Sequence, residues 1–255
     1  MSASEWWFTD DPAEFSAVAG DFLATDPIQF TVMTTVVDQA VVAGDRGPSM
    51  AHPYWFAALR GPGGRLVSAA MRSAPFAPHP LWLLPMPPGA GADLARVLVE
   101  RGEVVPGEPF GVNGSLHAAR ECAETIAAHG GRSVHEEMRS RLFRLDEVRW
   151  PPAPAGRLRP AGDADVELVV EWVSRFHADA AEQAGRTWEP GPLEFDEQWA
   201  GDRVARGLVT IVEDPHGTPV HVTAWNAPAY GVGRIGPVFT PAQHRGRGYA
   251  GWCVA

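Results

Sequence analysis

Cysteine is scarce in this chain. Cys122 and Cys253 are the only two among 255 residues, too few for a disulfide framework or a cysteine zinc site, and that usage points to a reducing interior. Positive charge is also short: 21 Lys plus Arg stand against 31 acids, a formal net charge of −10. A general nucleic-acid binder needs a basic face to displace counterions, so the balance weighs against that class. Long apolar runs are missing too. The longest, 31–44, is interrupted by Asp38 and Gln39 and falls short of a bilayer span. The opening Met-Ser-Ala-Ser-Glu-Trp-Trp lacks the basic cluster and apolar stretch of a secretory signal. The expectation is a soluble, cytoplasmic protein with no membrane and no nucleic-acid partner.

Several chemical motifs are absent. The nine histidines are scattered, with no His-Glu-x-x-His or His-x-His, so no metal centre is expected. No Gly-x-x-x-x-Gly-Lys-Ser/Thr occurs, which removes the triphosphate loop. Gly111-Val112-Asn113-Gly114-Ser115 is no nucleophile elbow, because the serine lacks the central place between glycines.

What remains is ordinary globular material, 45% hydrophobic and 20% charged, long enough to bury a real core. Asp11-Pro12 opens an amphipathic helix to about Ala24, with Phe15, Val18, Ala19 and Phe22 on one face. A second helical run covers 28–43. Apolar segments 54–60 and 65–73 flank Gly61-Pro62-Gly63-Gly64, a hairpin signal. A buried strand at 81–84, a helix over 92–101 and a helix over 115–129 follow, and 133–148 reads as extended. Trp150-Pro151-Pro152-Ala153-Pro154-Ala155-Gly156 is a stiff connector. It divides the chain into a domain over 1–149, a linker over 150–156 and a domain over 157–255.

The second half repeats the order of the first. A strand at 158–160 precedes helices over 163–179 and 193–206. Strands 208–213 and 220–225 flank Asp214-Pro215-His216-Gly217-Thr218-Pro219, and a strand over 234–240 leads into a glycine loop and a helix. The matching order predicts an internal duplication of one α/β unit.

The loop carries the chemistry. Arg245-x-x-Gly248-x-Ala250 follows an apolar strand directly and opens a helix. Glycines let successive amides turn inward toward an anion without a Cβ in the way. The helix start adds free N–H groups, and Arg245 and Arg247 can add charge-assisted bonds to phosphate oxygens. Gly246-x-Gly248-x-x-Gly251 formally fits a dinucleotide fingerprint, but that reading needs an acidic residue about 20 positions later, and the sequence ends at Ala255.

The segment from Val238 to Ala250 resembles the acetyl-CoA pyrophosphate loop of the GNAT-superfamily N-acetyltransferases, and the resemblance covers about residue 156 onward. It implies an α/β (α+β) fold of tandem mixed-sheet domains with helices on both faces, the first degenerate and the second incomplete. The chain stops about two turns into the last helix, so a fragment of a longer product is expected. The resemblance further implies transfer of acetyl from acetyl-CoA to a small amine or peptide amino group by direct attack. Val238, Phe239 and Thr240 would offer backbone groups to the pantetheine and thioester, an N–H near Phe239 would face the oxyanion, and Arg245, Gly246, Arg247, Gly248, Tyr249 and Ala250 would hold the diphosphate.

A general base is not evident. Glu182 and Glu189 are candidates to line the amine site, and Glu213 ends a hairpin strand; each also reads as a solvated surface carboxylate. Trp225 and Asn226 are candidate acceptor contacts. A non-catalytic acyl-CoA-binding or interaction protein that kept the loop is the alternative.

Overall fold

The computed structural model describes residues 5–44, 54–74, 78–183, 185, 187 and 195–255. They form two compact units, Met1–Leu142 and Phe143–Ala255.

The first unit runs β1 (Glu5–Thr9), α1 (Pro12–Leu23), α2 (Thr31–Ala43), β2 (Trp55–Arg60), β3 (Leu66–Arg72), β4 (Leu81–Leu83), α3 (Ala90–Glu100), β5 (Val112–Gly114) and α4 (Leu116–His129). Its sheet has the order β1-β2-β3-β4-β5, antiparallel except for the parallel β4–β5 pair. Asp11 caps α1 by accepting from the amides of Ala13 and Glu14, with Pro12 where a missing N–H costs nothing. The β2–β3 turn places Gly63 and Gly64 at φ 82° and 79°, a region closed to most side chains.

Strand periodicity divides the core. Phe56, Ala58, Ala69 and Met71 face α1 and α2 with Phe15, Leu23 and Met33. Trp55, Ala57 and Ala70 face α3 and α4 with Leu94, Leu98 and Cys122. Successive strand residues point to opposite faces, so helices cover both sides, as expected. Burial pushes the Cys122 thiol up to about 12, which keeps it protonated and inert.

The second unit runs β6 (Arg157–Pro160), a 3-10 turn at Asp163–Asp165, α5 (Val166–Gln183), α6 (Glu197–Ala205), β7 (Val209–Glu213), β8 (Pro219–Ala229), β9 (Val232–Phe239), a second 3-10 turn at Ala242–His244 and α7 (Tyr249–Val254). The sheet order is β6-β7-β8-β9, antiparallel throughout. Val169, Val173, Ala200, Ile211, Val222 and Phe239 build the core beneath α5 and α6; Val212, Val220 and Tyr249 build the smaller one beneath α7. Arg159 donates to both Asp165 and Glu213, tying β6 to β7 and to the start of α5. The Arg159 and Arg157 guanidiniums hold the Glu213 carboxyl below its usual range. Glu213 is therefore a structural anchor.

Strand, helix, helix, three strands, helix is common to both units. The repeat expected from the element order is present, and β1 completes it. The sequence gives no signal for β1, because Trp6, Trp7 and Phe8 are apolar in succession without alternation. The stretch read as extended, 133–148, joins no sheet and forms no helix. Apolar and charged residues fall on both faces of that stretch, so neither face could be buried cleanly. Phe143 and Leu145 stay exposed. Among the described residues no helix is long and apolar enough to cross a membrane.

Candidate functional site

A cleft of about 460 Å³ opens in the second unit between α5, the end of β9 and the loop into α7. All nine residues expected to hold the cofactor line it: Val238, Phe239, Thr240, Arg245, Gly246, Arg247, Gly248, Tyr249 and Ala250. Gly246 and Gly248 have φ of 75° and 84°. A Cβ at either would meet nothing within 4 Å, so backbone conformation, not space, demands glycine. Within the described residues the amides of 246–251 donate no hydrogen bond. The buried Nδ1 of His244, at the cleft wall, also has no partner. Unpaired donors at a loop of left-handed glycines suit an anion.

Side chains fix the loop from beneath. The Tyr249 ring is buried against Val212 and Val220, which anchors the start of α7. Arg245 Nε donates to the Thr240 carbonyl at 2.9 Å and Nη2 to Asp179 on α5, with its guanidinium 6.0 Å from the centre of the Phe239 ring. Arg247 makes one weak bond, Nη2 to the Gln243 carbonyl at 3.3 Å. Thr240 is held from the other side by His221, which is fully buried. Its Nδ1 lies 2.7 Å from Thr240 Oγ1 and its Nε2 2.7 Å from Thr223 Oγ1. Burial pushes the imidazole down to about 4, so one ring nitrogen donates and the other accepts.

β9 is the last strand of its sheet, with one edge unpaired among the described residues. Gly236–Pro237 is a cis peptide, and opposite it the β8 register shifts between Thr223 and Trp225. No protein-family model matches the sequence, and no curated protein matches it. The structure is similar to that of a GCN5-related N-acetyltransferase from Sphaerobacter thermophilus, with a TM-score of 0.50 and 18% identity, over 97% of this chain and 79% of that one. This chain has the GNAT fold. A tandem GNAT protein from the clavulanic acid biosynthesis pathway aligns over 98% of this chain and 83% of its own, at 16% identity and a TM-score of 0.41.

One order of elements occurs in both units, and the two units treat the corresponding helix start differently. Gly89 before α3 and Gly248 before α7 are both left-handed, at φ 85° and 84°. In the first unit the amides of Gly89 and Gly91 donate to the Glu121 carboxylate of α4 at 3.0–3.2 Å. The chain thus supplies its own anion where the second unit leaves donors open. A Cβ on Gly91 would come within 2.6 Å of the Ala118 carbonyl, so the two helices touch through that glycine.

The remaining candidates fall elsewhere. Glu182 is exposed near the end of α5 and does not line the cleft; a helix turns 100° per residue, which carries it off the face shared by Phe176, Asp179 and Gln183. Glu189 lies outside the described residues. Trp225 and Asn226 are not in the lining either. Instead Arg203 Nη1 donates to the Trp225 carbonyl and Nη2 to Asn226 Oδ1, both at 3.0 Å. Sequence reasoning missed Asp179, Gln183 and His221. The spacing of 176, 179/180 and 183 on one helical face was a usable signal; nothing local marks His221.

Proposed function

We propose that the chain binds acetyl-CoA in the second-unit cleft and transfers acetyl to an amine acceptor. The observation that carries this reading is the run of amides over 246–251 that have no partner among the described residues, set in a cleft with Arg245 and Arg247. The residues present fit a diphosphate: amides and two guanidiniums converge, and the buried Nδ1 of His244 lacks a partner. Asp179 offsets part of that charge, and its bond to Arg245 holds the guanidinium at the loop until a phosphate competes for it.

When bound, acetyl-CoA supplies the acetyl thioester. The edge of β9 left unpaired among the described residues would hold its pantetheine arm, and an N–H near Phe239 would face the developing oxyanion. The acceptor's neutral amine would attack the thioester carbon directly, forming the amide as the C–S bond breaks; CoA would leave as its thiolate, and the proton lost by the nitrogen would convert that thiolate to the thiol. Direct attack is favoured over a covalent acyl-enzyme because the described residues of the cleft lining include no cysteine or serine.

A non-catalytic acyl-CoA-binding role is the second reading. It draws on Asp179, the one carboxylate among the described residues of the lining, being paired with Arg245 rather than free to take a proton. Calorimetric titration with acetyl-CoA and CoA, followed by thiol release over an amine panel, separates the two. Binding with turnover supports transfer; binding alone supports the second; no binding of either ligand refutes both.

A further inference from the structure

Arg203 on α6 and Arg234 on β9 meet at the same strand position. Asn226 is the cross-strand partner of Arg234, and the same Asn226 accepts from Arg203 Nη2 at 3.0 Å. Directly paired residues in an antiparallel ladder have Cβ atoms about 5 Å apart. Arg203 therefore reaches the side chain that Arg234 faces across the ladder, near enough for the Arg234 charge to act on it, and its guanidinium lies 4.8 Å from the centre of the Trp199 ring. Both arginines are partly buried. Neither has a carboxylate within ion-pair distance among the described residues, although the chain carries ten more acids than bases.

That arrangement is costly without an anion. Burial pulls the Arg203 guanidinium below its usual range, and nearby Arg206 and Arg234 pull it further; burial alone does the same to Arg234. Like charges in a partly desolvated site repel, and bringing in an oxyanion reverses the sign of the interaction. The donors to receive one are free. A guanidinium has about five N–H donors; Arg203 spends one on Trp225 and one on Asn226, and Arg234 donates none among the described residues. Planar forks of this kind match a carboxylate in bidentate fashion.

We propose that Arg203 and Arg234 form a carboxylate receptor, so that the acceptor is an amine that also carries a carboxylate. This rests on the acetyl-transfer reading for the word acceptor; the anion site itself does not. Arg234 precedes Val238 on β9 by four residues, a reach of roughly 13 Å at about 3.3 Å per residue. A carboxylate held at Arg234 therefore leaves room for an aliphatic spacer before the amine reaches the cleft end of β9.

The test uses the full chain and a series of ω-amino acids from β-alanine to 7-aminoheptanoate, each beside the alkylamine of equal length without its carboxylate. Binding is read by the shift in thermal midpoint, with and without CoA. At least one amino acid is expected to raise the midpoint while its alkylamine partner does not. Arg234→Gln is expected to weaken that binding at least tenfold, and Arg234→Lys less, with the CoA affinity of both variants unchanged. Equal binding of amine and amino acid, retention in Arg234→Gln, or no binding across the series overturns the proposal. A chain that binds the amino acids but not CoA contradicts the acetyl-transfer reading and leaves the carboxylate site standing. Should Arg234→Gln fail to fold, the paired ligand series on the unaltered chain still decides.

Discussion

Glu121 of α4 accepts hydrogen bonds from the amide of Gly89, the residue that caps α3. The corresponding position in the second unit, Gly248, starts a helix whose first amides have no acceptor among the described residues. One unit has closed this helix start with its own carboxylate and the other has left it open.

Removing that carboxylate should cost the first unit stability. Hydrogen bonds to a charged group contribute about 1.5–3 kcal/mol each way they are lost, less where solvent reaches them, so Glu121→Ala is expected to destabilise by about 2 kcal/mol. Urea unfolding measures this, and amide exchange at Gly89 and Gly91 should accelerate in parallel. An unchanged midpoint would mean that the Glu121 contact contributes nothing.

His221 gives a pH dependence of definite sign. An unfolded imidazole takes its proton near 6.5, the folded one only near 4. In that window the unfolded chain binds more protons, so stability is full above pH 6.5 and falls as pH drops toward 4. Carboxylates held below their usual range, Asp165 and Glu213, add losses at the acid end. The diagnostic is therefore the difference: His221→Gln should show a shallower loss between pH 6.5 and 4, read from thermal midpoints across that range.

Gly248→Ala tests the loop backbone. No atom lies within 4 Å of an added Cβ, so any effect comes from holding alanine at φ 84°, a cost of about 1–2 kcal/mol. The prediction is a CoA affinity reduced about fivefold or more with the unit still folded by circular dichroism.

Much of the fold was legible because periodicity and turn chemistry agreed. Asp11-Pro12 marked a helix start, and Gly61-Pro62-Gly63-Gly64 between two short apolar segments marked a hairpin. The loop was legible for a different reason: its glycines are local and their conformations are positional. What escaped was long-range. β1 exists only because β2 lies beside it along all five of its residues. His221 gains its place from Thr240, 19 residues away, and Asp179 from Arg245, 66 residues away. No window of neighbouring residues contains those partners. Glu182 is next to Gln183, which lines the cleft, but one residue along a helix is a rotation of about 100°.

The most direct test of the diphosphate cradle is calorimetric titration of CoA into the double variant Arg245→Glu/Arg247→Glu beside the unaltered chain. Reversing both charges at the open amides is expected to weaken binding at least a hundredfold while the far-ultraviolet circular dichroism stays the same. Equal affinity in the two proteins would contradict the account.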